Sequence, residues 1–292
     1  MALGKNINLF LMDGKVAGRV KCTLANWTGV AYKIPRTMIK EARSIGYLNQ
    51  TGVYFLLGSS EESDKPVAYI GQAGIRKNGE GILCRLEEHL RDEKKDYWNE
   101  VVAFTTSNNS FGPTEISYLE NRFYNIAKKH KRCELKNSND PNPGNITEEK
   151  ESELEEFILY ARLIMGVLGY NILESLRNEE PEEKAVPEIP TLYLNRNGLD
   201  AQGQMTADGF VVLKGSRIAL KETRSCPDPV RRQREAHLMN KEEVDEQGFL
   251  KEDLLFKSPS GAAGFVTGGS ANGWIEWKDK TGKTLRALES EI

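Results

Sequence analysis

Short apolar runs separated by turn residues open the chain. Ile7–Met12, Val16–Leu24 and Val30–Ile34 read as strands, with Asp13-Gly14 as a two-residue hairpin signal between the first two. Pro35 then opens a helical pattern from Arg36 to Ile45 that stops at Gly46. A second group begins with the strands Val53–Leu57 and Val67–Ile70 on either side of a polar loop. A helix follows from about Gly81 to Glu93, then a third strand, Val101–Thr105. Gly112-Pro113-Thr114 announces a helix over Glu115–Lys129 with Thr114 as its N-cap, and Asn137–Asn145 reads as a loop. The acidic run Glu148–Glu156 leads into an amphipathic helix reaching Gly169, and residues 177–190, rich in Glu and with three Pro, read as a solvated linker. The last hundred residues hold a strand at Phe210–Leu213 and a basic helical stretch at Pro229–Asn240. A short helix after Ser258-Pro259-Ser260 and a hairpin around Trp274–Leu285 complete them.

This order predicts an α/β (α+β) chain of four parts. Residues 1–49 form a basic, β-rich N-terminal module, and residues 50–145 a small mixed sheet flanked by helices. Residues 146–190 form an acidic helix and linker, and 191–292 a separate α+β C-terminal domain. The whole chain has 292 residues and a formal net charge of −3, which by itself leans away from nucleic acid. Regional counting reverses that lean. Residues 1–49 carry 8 Lys/Arg against 2 Asp/Glu, while residues 141–190 carry 4 against 12. No run approaches the ~18 apolar residues of a membrane span, and the early apolar run is too short for a signal-peptide core, so a soluble, cytoplasmic protein without a membrane partner is expected.

The candidate chemistry is narrow. Four cysteines (Cys22, Cys84, Cys133, Cys226) lack metal-site spacing, and three histidines are too few for an imidazole-built centre. Carboxylate and water would have to hold any metal, which points to magnesium or manganese. On the helix from Gly81, Arg85 and His89 are four residues apart and project together, which by itself describes an exposed basic pair. On the next helix, at 100° per residue from Ile116, Glu120 falls at about 40°, between Ala127 at about 20° and Tyr124 at about 80°. A carboxylate inside an apolar stripe needs a reason. It is either half of a structural ion pair, with Arg85 as the available partner, or a metal ligand or catalytic group.

Two strand segments carry tyrosines in sequence, Gly52-Val53-Tyr54 and Tyr69-Ile70-Gly71. Neither tripeptide is informative alone. Followed by the Arg85/His89 helix and a helical Glu120 in Tyr118-Leu119-Glu120-Asn121-Arg122, they resemble the GIY-YIG nuclease family over about residues 50–140. Val53 stands for the family's usual Ile. Loops at Gly58–Pro66 and Gly74–Gly81 lengthen the pattern, and Asn137, in Glu134-Leu135-Lys136-Asn137, is the loosest match. The resemblance implies a metal-dependent DNA endonuclease. Glu120 would hold one Mg2+ (or Mn2+), and Arg85 would brace the scissile phosphate. Tyr54 would act as general base or water-orienting group, with His89 as proton acceptor and Tyr69 completing the network. Gly71 would allow close backbone approach, and Asn137 would play a binding or structural part. DNA is the expected partner, with RNA the other nucleic acid to test, and the oligomeric state, monomer or dimer, stays open. A catalytically inactive nucleic-acid-binding adaptor is the alternative.

The C-terminal hundred residues are similar to an uncharacterised domain that often follows such nuclease modules. The matching pieces are Phe210–Ser216, Ser258–Ala263 and Ser270–Trp274. Ser258-Pro259-Ser260 reads as an ordinary helix cap, with a phosphate seat at its spare N–H donors as the other reading. Arg231, Arg232 and Arg234 read as a solvated basic face, with contact to a nucleic-acid backbone as the other reading. Trp27 and Tyr32 read as core residues of the head, whose positive balance is the better candidate for attracting phosphate.

Overall fold

The computed structural model describes residues 4–59, 66–74, 81–93, 95–176 and 190–290. Most of the loop expected at 58–66, of the insertion at 74–81 and of the linker at 177–190 therefore lies outside the described residues. The chain is α+β and divides into two compact units, residues 1–175 and 176–292.

The first unit is built on one seven-stranded sheet. In chain order its strands are β1 (Ile7–Leu11), β2 (Val20–Leu24), β3 (Gly29–Pro35), β4 (Gly52–Ser59), β5 (Pro66–Ala73), β6 (Trp98–Thr106) and β7 (Glu134–Leu135), and in space they run β1-β2-β3-β6-β4-β5-β7. All pairings are antiparallel except β5 with β7. The helices are α1 (Ile82–Arg91), α2 (Pro113–His130) and α3 (Glu148–Val167).

Alternation along the strands makes two cores, one on each face. Val53, Phe55, Ala68, Ile70, Val102 and Phe104 point to the side covered by α2 and α3. Tyr54, Leu56, Tyr69, Ala73, Val101 and Ala103 point to the other side, with Leu83 and Leu86 of α1. β4 is central and covered on both faces, which is why its sequence is an unbroken apolar run.

Four expectations change. The head is no separate module, because β3 pairs with β6 from Gly29↔Thr106 to Pro35↔Glu100 and so continues the same sheet. The acidic helix is no separate connector. Leu154, Phe157, Ile158, Ala161, Ile164 and Met165 of α3 are buried in the core, and Glu155 takes Tyr118 (2.7 Å) and Arg122 (2.9 Å) from α2. The first hairpin is not a tight Asp13-Gly14 turn. Leu11 opposes Val20, and residues 12–19 form a longer loop in which the Asp13 carboxylate accepts from the Arg19 backbone at 2.8 Å and from its guanidinium. The helix expected over Arg36–Ile45 is a chain of 3-10 turns, Arg36–Met38, Glu41–Ser44 and Gly46–Asn49. Its buried residues Ile39, Ala42, Ile45 and Leu48 recur every three positions, the period of a 3-10 rather than an α-helix.

The second unit has a four-stranded antiparallel sheet, order β11-β10-β9-β8, made of β8 (Leu192–Arg196), β9 (Leu199–Thr206), β10 (Gly209–Val212) and β11 (Leu254–Phe256). Its helices are α4 (Asp228–Met239), α5 (Pro259–Thr267), α6 (Gly273–Glu276) and α7 (Leu285–Glu289). Asn197-Gly198, both with positive φ, turns β8 into β9, where the sequence reading placed no strand although Asn-Gly is a strong hairpin signal. The hairpin expected around Trp274–Leu285 is instead α6 followed by a single bridge, Lys278↔Thr284. Asn272 starts α6 by accepting from the Trp274 N–H at 3.1 Å. Trp277 is buried and donates to the Pro259 carbonyl at 3.0 Å, so it is a core residue. Among the described residues no helix is long and apolar enough to cross a membrane.

Candidate active site

Strand register gathers the two tyrosines. Tyr54 of β4 lies opposite Gly71 of β5, and Leu56 opposite Tyr69, so both phenols point to the α1 side. The Tyr54 ring lies across Gly71: a Cβ there would sit 2.5 Å from Cζ and Oη of the tyrosine. Gly71 is thus required by the ring that covers it.

α1 delivers the next two groups to the same side. His89 is buried, and its Nε2 is 2.7 Å from Tyr54 Oη. The Tyr54 and Tyr69 rings pack 5.5 and 5.4 Å from the imidazole centroid. Arg85, one turn earlier, is partly exposed and ion-paired with Glu88 at 2.6 Å. The pair expected to be an exposed basic couple is therefore split, with the imidazole inside and the guanidinium at the rim.

Glu120 arrives from the opposite face of the sheet, on α2, and is only partly buried. Its Oε2 accepts from Gln72 Nε2 at 2.9 Å, and Gln72 also contacts Ser117 Oγ at 3.2 Å. The structural reading of Glu120 as an ion pair with Arg85 is not what the helix builds, since Gln72 supplies its hydrogen bond. Both residues nonetheless flank the β5 end of the sheet closely enough to act on each other. Burial raises the Glu120 pKa, and the Gln72 hydrogen bond and the Arg85 charge pull it back.

Burial also raises both tyrosine pKa values, against the pull of Arg85. Desolvation, with the Lys95 and Arg85 charges adding to it, holds the His89 pKa down to about 4, so the imidazole is neutral at physiological pH. Lys95 was not visible as a site residue in the sequence. Its Nζ is 3.2 Å from His89 Nδ1 and 3.7 Å from the Tyr69 ring centroid. Gln72 was also missed, although its place one residue after Tyr69-Ile70-Gly71 sets it on the α2 face with Ile70.

Asn137 does not join this cluster of side chains. Its Oδ1 accepts from the Ile70 N–H at 3.1 Å and its Nδ2 donates to the Ile70 carbonyl at 2.7 Å. The side-chain amide thereby extends the short β5–β7 ladder by one rung, two residues along β5 from Ala68 to Ile70.

Among the described residues no group of three or more His, Cys, Asp or Glu side chains could hold a metal. A single half-exposed carboxylate steadied by an amide nonetheless suits magnesium, which binds through one or two carboxylates and keeps several waters.

The other basic candidates are mostly engaged. Arg19 pairs with Asp13, Arg43 with Glu87 and Lys33 with Glu100, and Arg36 stacks on Trp98. Among the described residues ion pairs thus engage three of the head's eight Lys/Arg, so its positive balance is only partly neutralised within the unit. Trp27 packs on Phe157 and Tyr32 is buried, both as core residues. In the second unit Arg234 is fully buried, bonded to the Phe265 and Ala219 carbonyls, and Arg231 pairs with Glu222 and Asp228. The solvated basic face is thus reduced to Arg232. Ser258 is an ordinary cap, its Oγ accepting from the Gly261 N–H at 3.1 Å.

Comparison with known proteins bears on the second unit. No curated protein and no solved structure matches the chain. Residues 192–289 match a family model described as a domain of unknown function, DUF4357, in keeping with the uncharacterised domain that the C-terminal pieces resemble.

Proposed function

We propose that the first unit is a metal-dependent endonuclease of the GIY-YIG kind that hydrolyses DNA phosphodiester bonds. The observation that carries this reading is the buried Tyr54–His89 pair, seated over Gly71 and flanked by Arg85, with Glu120 at the same end of β5. Binding alone does not need a neutral buried imidazole against a phenol, nor a partly buried carboxylate steadied by a side-chain amide.

Phosphodiester hydrolysis needs an oriented water, neutralisation of the charge on the phosphoryl oxygens and help for the departing oxygen. Glu120 is the residue to hold Mg2+ or Mn2+, which when bound supplies positive charge beside the phosphoryl oxygens. Arg85 braces the scissile phosphate. Its ion pair with Glu88 engages Nη1, and a guanidinium has five N–H donors in a planar fork. Tyr54, whose resting form is the neutral phenol, orients the attacking water from a position fixed by His89. Tyr69 closes the polar wall beside it.

The test is cleavage of supercoiled plasmid with and without magnesium or manganese. Glu120→Gln and Arg85→Ala are each expected to lower the rate by about a hundredfold or more. Metal-dependent cleavage that survives Glu120→Gln unchanged would remove Glu120 from the site. DNA or RNA binding without cleavage by the wild type, under either metal, would replace the enzyme with a nucleic-acid-binding adaptor.

A further inference from the structure

We propose that Lys95 is a positioning residue of this site: its ammonium fixes the tautomer of His89, so that His89 Nε2–H donates to Tyr54 Oη. The argument is a count of donors. A neutral imidazole has one N–H and one lone pair, and an ammonium can only donate. With Lys95 Nζ 3.2 Å from Nδ1, that nitrogen must accept, and the single proton is left on Nε2. Nε2 is 2.7 Å from Tyr54 Oη, so the phenol oxygen receives this hydrogen bond.

Burial and the Arg85 charge pull the Lys95 pKa down; the Tyr69 ring face favours the ammonium against them, and backbone contacts hold the residue in place. Its Nζ sits 3.7 Å from the centroid of the Tyr69 ring, a seat for a cation. Its backbone is held from both sides, the N–H by the Asp92 carbonyl at 2.9 Å and the carbonyl by Arg36 Nη1 at 2.9 Å. The charged and titratable groups around His89 are Tyr54 on β4, Tyr69 on β5, Lys95, and Arg85, Glu88 and Asp92 along and just beyond α1. Among the described residues Lys95 is the one in hydrogen-bond contact with Nδ1.

The chemical consequence deepens the endonuclease reading and rests on it. The family resemblance implies that His89 takes a proton from Tyr54. With Lys95 charged, Nε2 already carries its proton and cannot. The imidazole instead supports the phenol oxygen as a donor, and the Tyr54 O–H is turned away from His89. Replacing Lys95 with an apolar residue frees Nδ1, lets the proton move there, and turns the Tyr54 O–H back into Nε2.

The tautomer can be read without any cleavage. Two-bond 1H–15N correlation spectra of the full-length chain, labelled with 15N-histidine, distinguish the two tautomers at neutral pH, with His89 assigned by the loss of its signals in His89→Gln. The wild type is expected to show Nε2–H at His89, Lys95→Met a shift toward Nδ1–H, and Lys95→Arg the wild-type pattern. An Nδ1–H tautomer in the wild type overturns the proposal even if Lys95→Met does not fold. So does a folded Lys95→Met with an unchanged tautomer. In plasmid cleavage, Lys95→Met is expected to lose about tenfold to a hundredfold with a displaced pH profile, and Lys95→Arg to recover most of the loss. A Lys95→Met rate and profile equal to wild type overturns the catalytic part. Absence of cleavage by the wild type overturns the endonuclease reading and leaves the tautomer result to decide the role of Lys95.

Discussion

The most constrained contact in the site is between a residue with no side chain and an aromatic ring. Tyr54 can lie flat across β5 only because Gly71 opposes it, and an added methyl would overlap the phenol. Gly71→Ala is therefore expected to destabilise the first unit by about 1–3 kcal/mol and to displace Tyr54 from His89. Urea unfolding measures the first effect and the His89 nitrogen shifts the second; a variant as stable as wild type would show that the ring has room to move. His89 makes a second prediction, from charge. Its pKa is held down to about 4 in the folded chain against about 6.5 in an unfolded one. Between those values the unfolded chain binds the extra proton, so folding stability rises with pH through the window. The contribution is complete above pH ~6.5, is lost as pH falls toward ~4, and amounts to roughly 3 kcal/mol. His89→Gln should flatten the slope of stability against pH over this window, and an unchanged slope would mean that His89 is solvated.

At the scale of elements, the edge of β5 shows what a sequence reveals and what it hides. β7 pairs with only Val67 and Ala68, and Asn137 then serves as the next rung through its side chain. Asn137→Ala is expected to cost about 1 kcal/mol and to speed amide exchange at Ile70. Exchange at Ile70 no faster than in wild type would assign the ladder to the backbone alone. The strands and helices of this unit were legible because central strands bury both faces and α2 carries a helical stripe. The tyrosines, Arg85, His89 and Glu120 were legible through their order along the chain. Lys95 and Gln72 were not, because a loop lysine and a strand glutamine acquire meaning only from what they face. The 3-10 chain after Pro35 is not legible because an apolar period of three is easily taken for one of 3.6 over so short a stretch. The long β1–β2 loop was missed because the Asp13–Arg19 contact that shapes it is not local to a dipeptide.

At the scale of the molecule, composition misassigned the boundary of the first unit. The run Glu148–Glu156 looks like a connector because its charges are dense, yet from Leu154 onward the helix turns apolar residues inward at helical spacing. Leu154, Phe157, Ile158, Ala161, Ile164 and Met165 complete the core on the α2 face, and Ile172 and Leu173 extend it. At about 1.5–3 kcal/mol for each large buried side chain, their loss removes about 10 kcal/mol or more of burial, comparable with the whole stability of an ordinary domain. The second unit has a core of its own around Leu194, Phe210, Phe256, Phe265 and Trp277. A fragment of residues 1–176 is therefore expected to fold, to melt cooperatively and to retain any cleavage activity of the full chain. A fragment of residues 1–145, which keeps Tyr54, Tyr69, Arg85, His89, Glu120 and Asn137, is expected to be unfolded and inactive. Circular dichroism melts and plasmid cleavage on the two fragments decide the matter. A cooperative melt for residues 1–145 would make α3 an appendage, whereas its absence, with a folded 1–176, fixes the end of the first unit beyond α3.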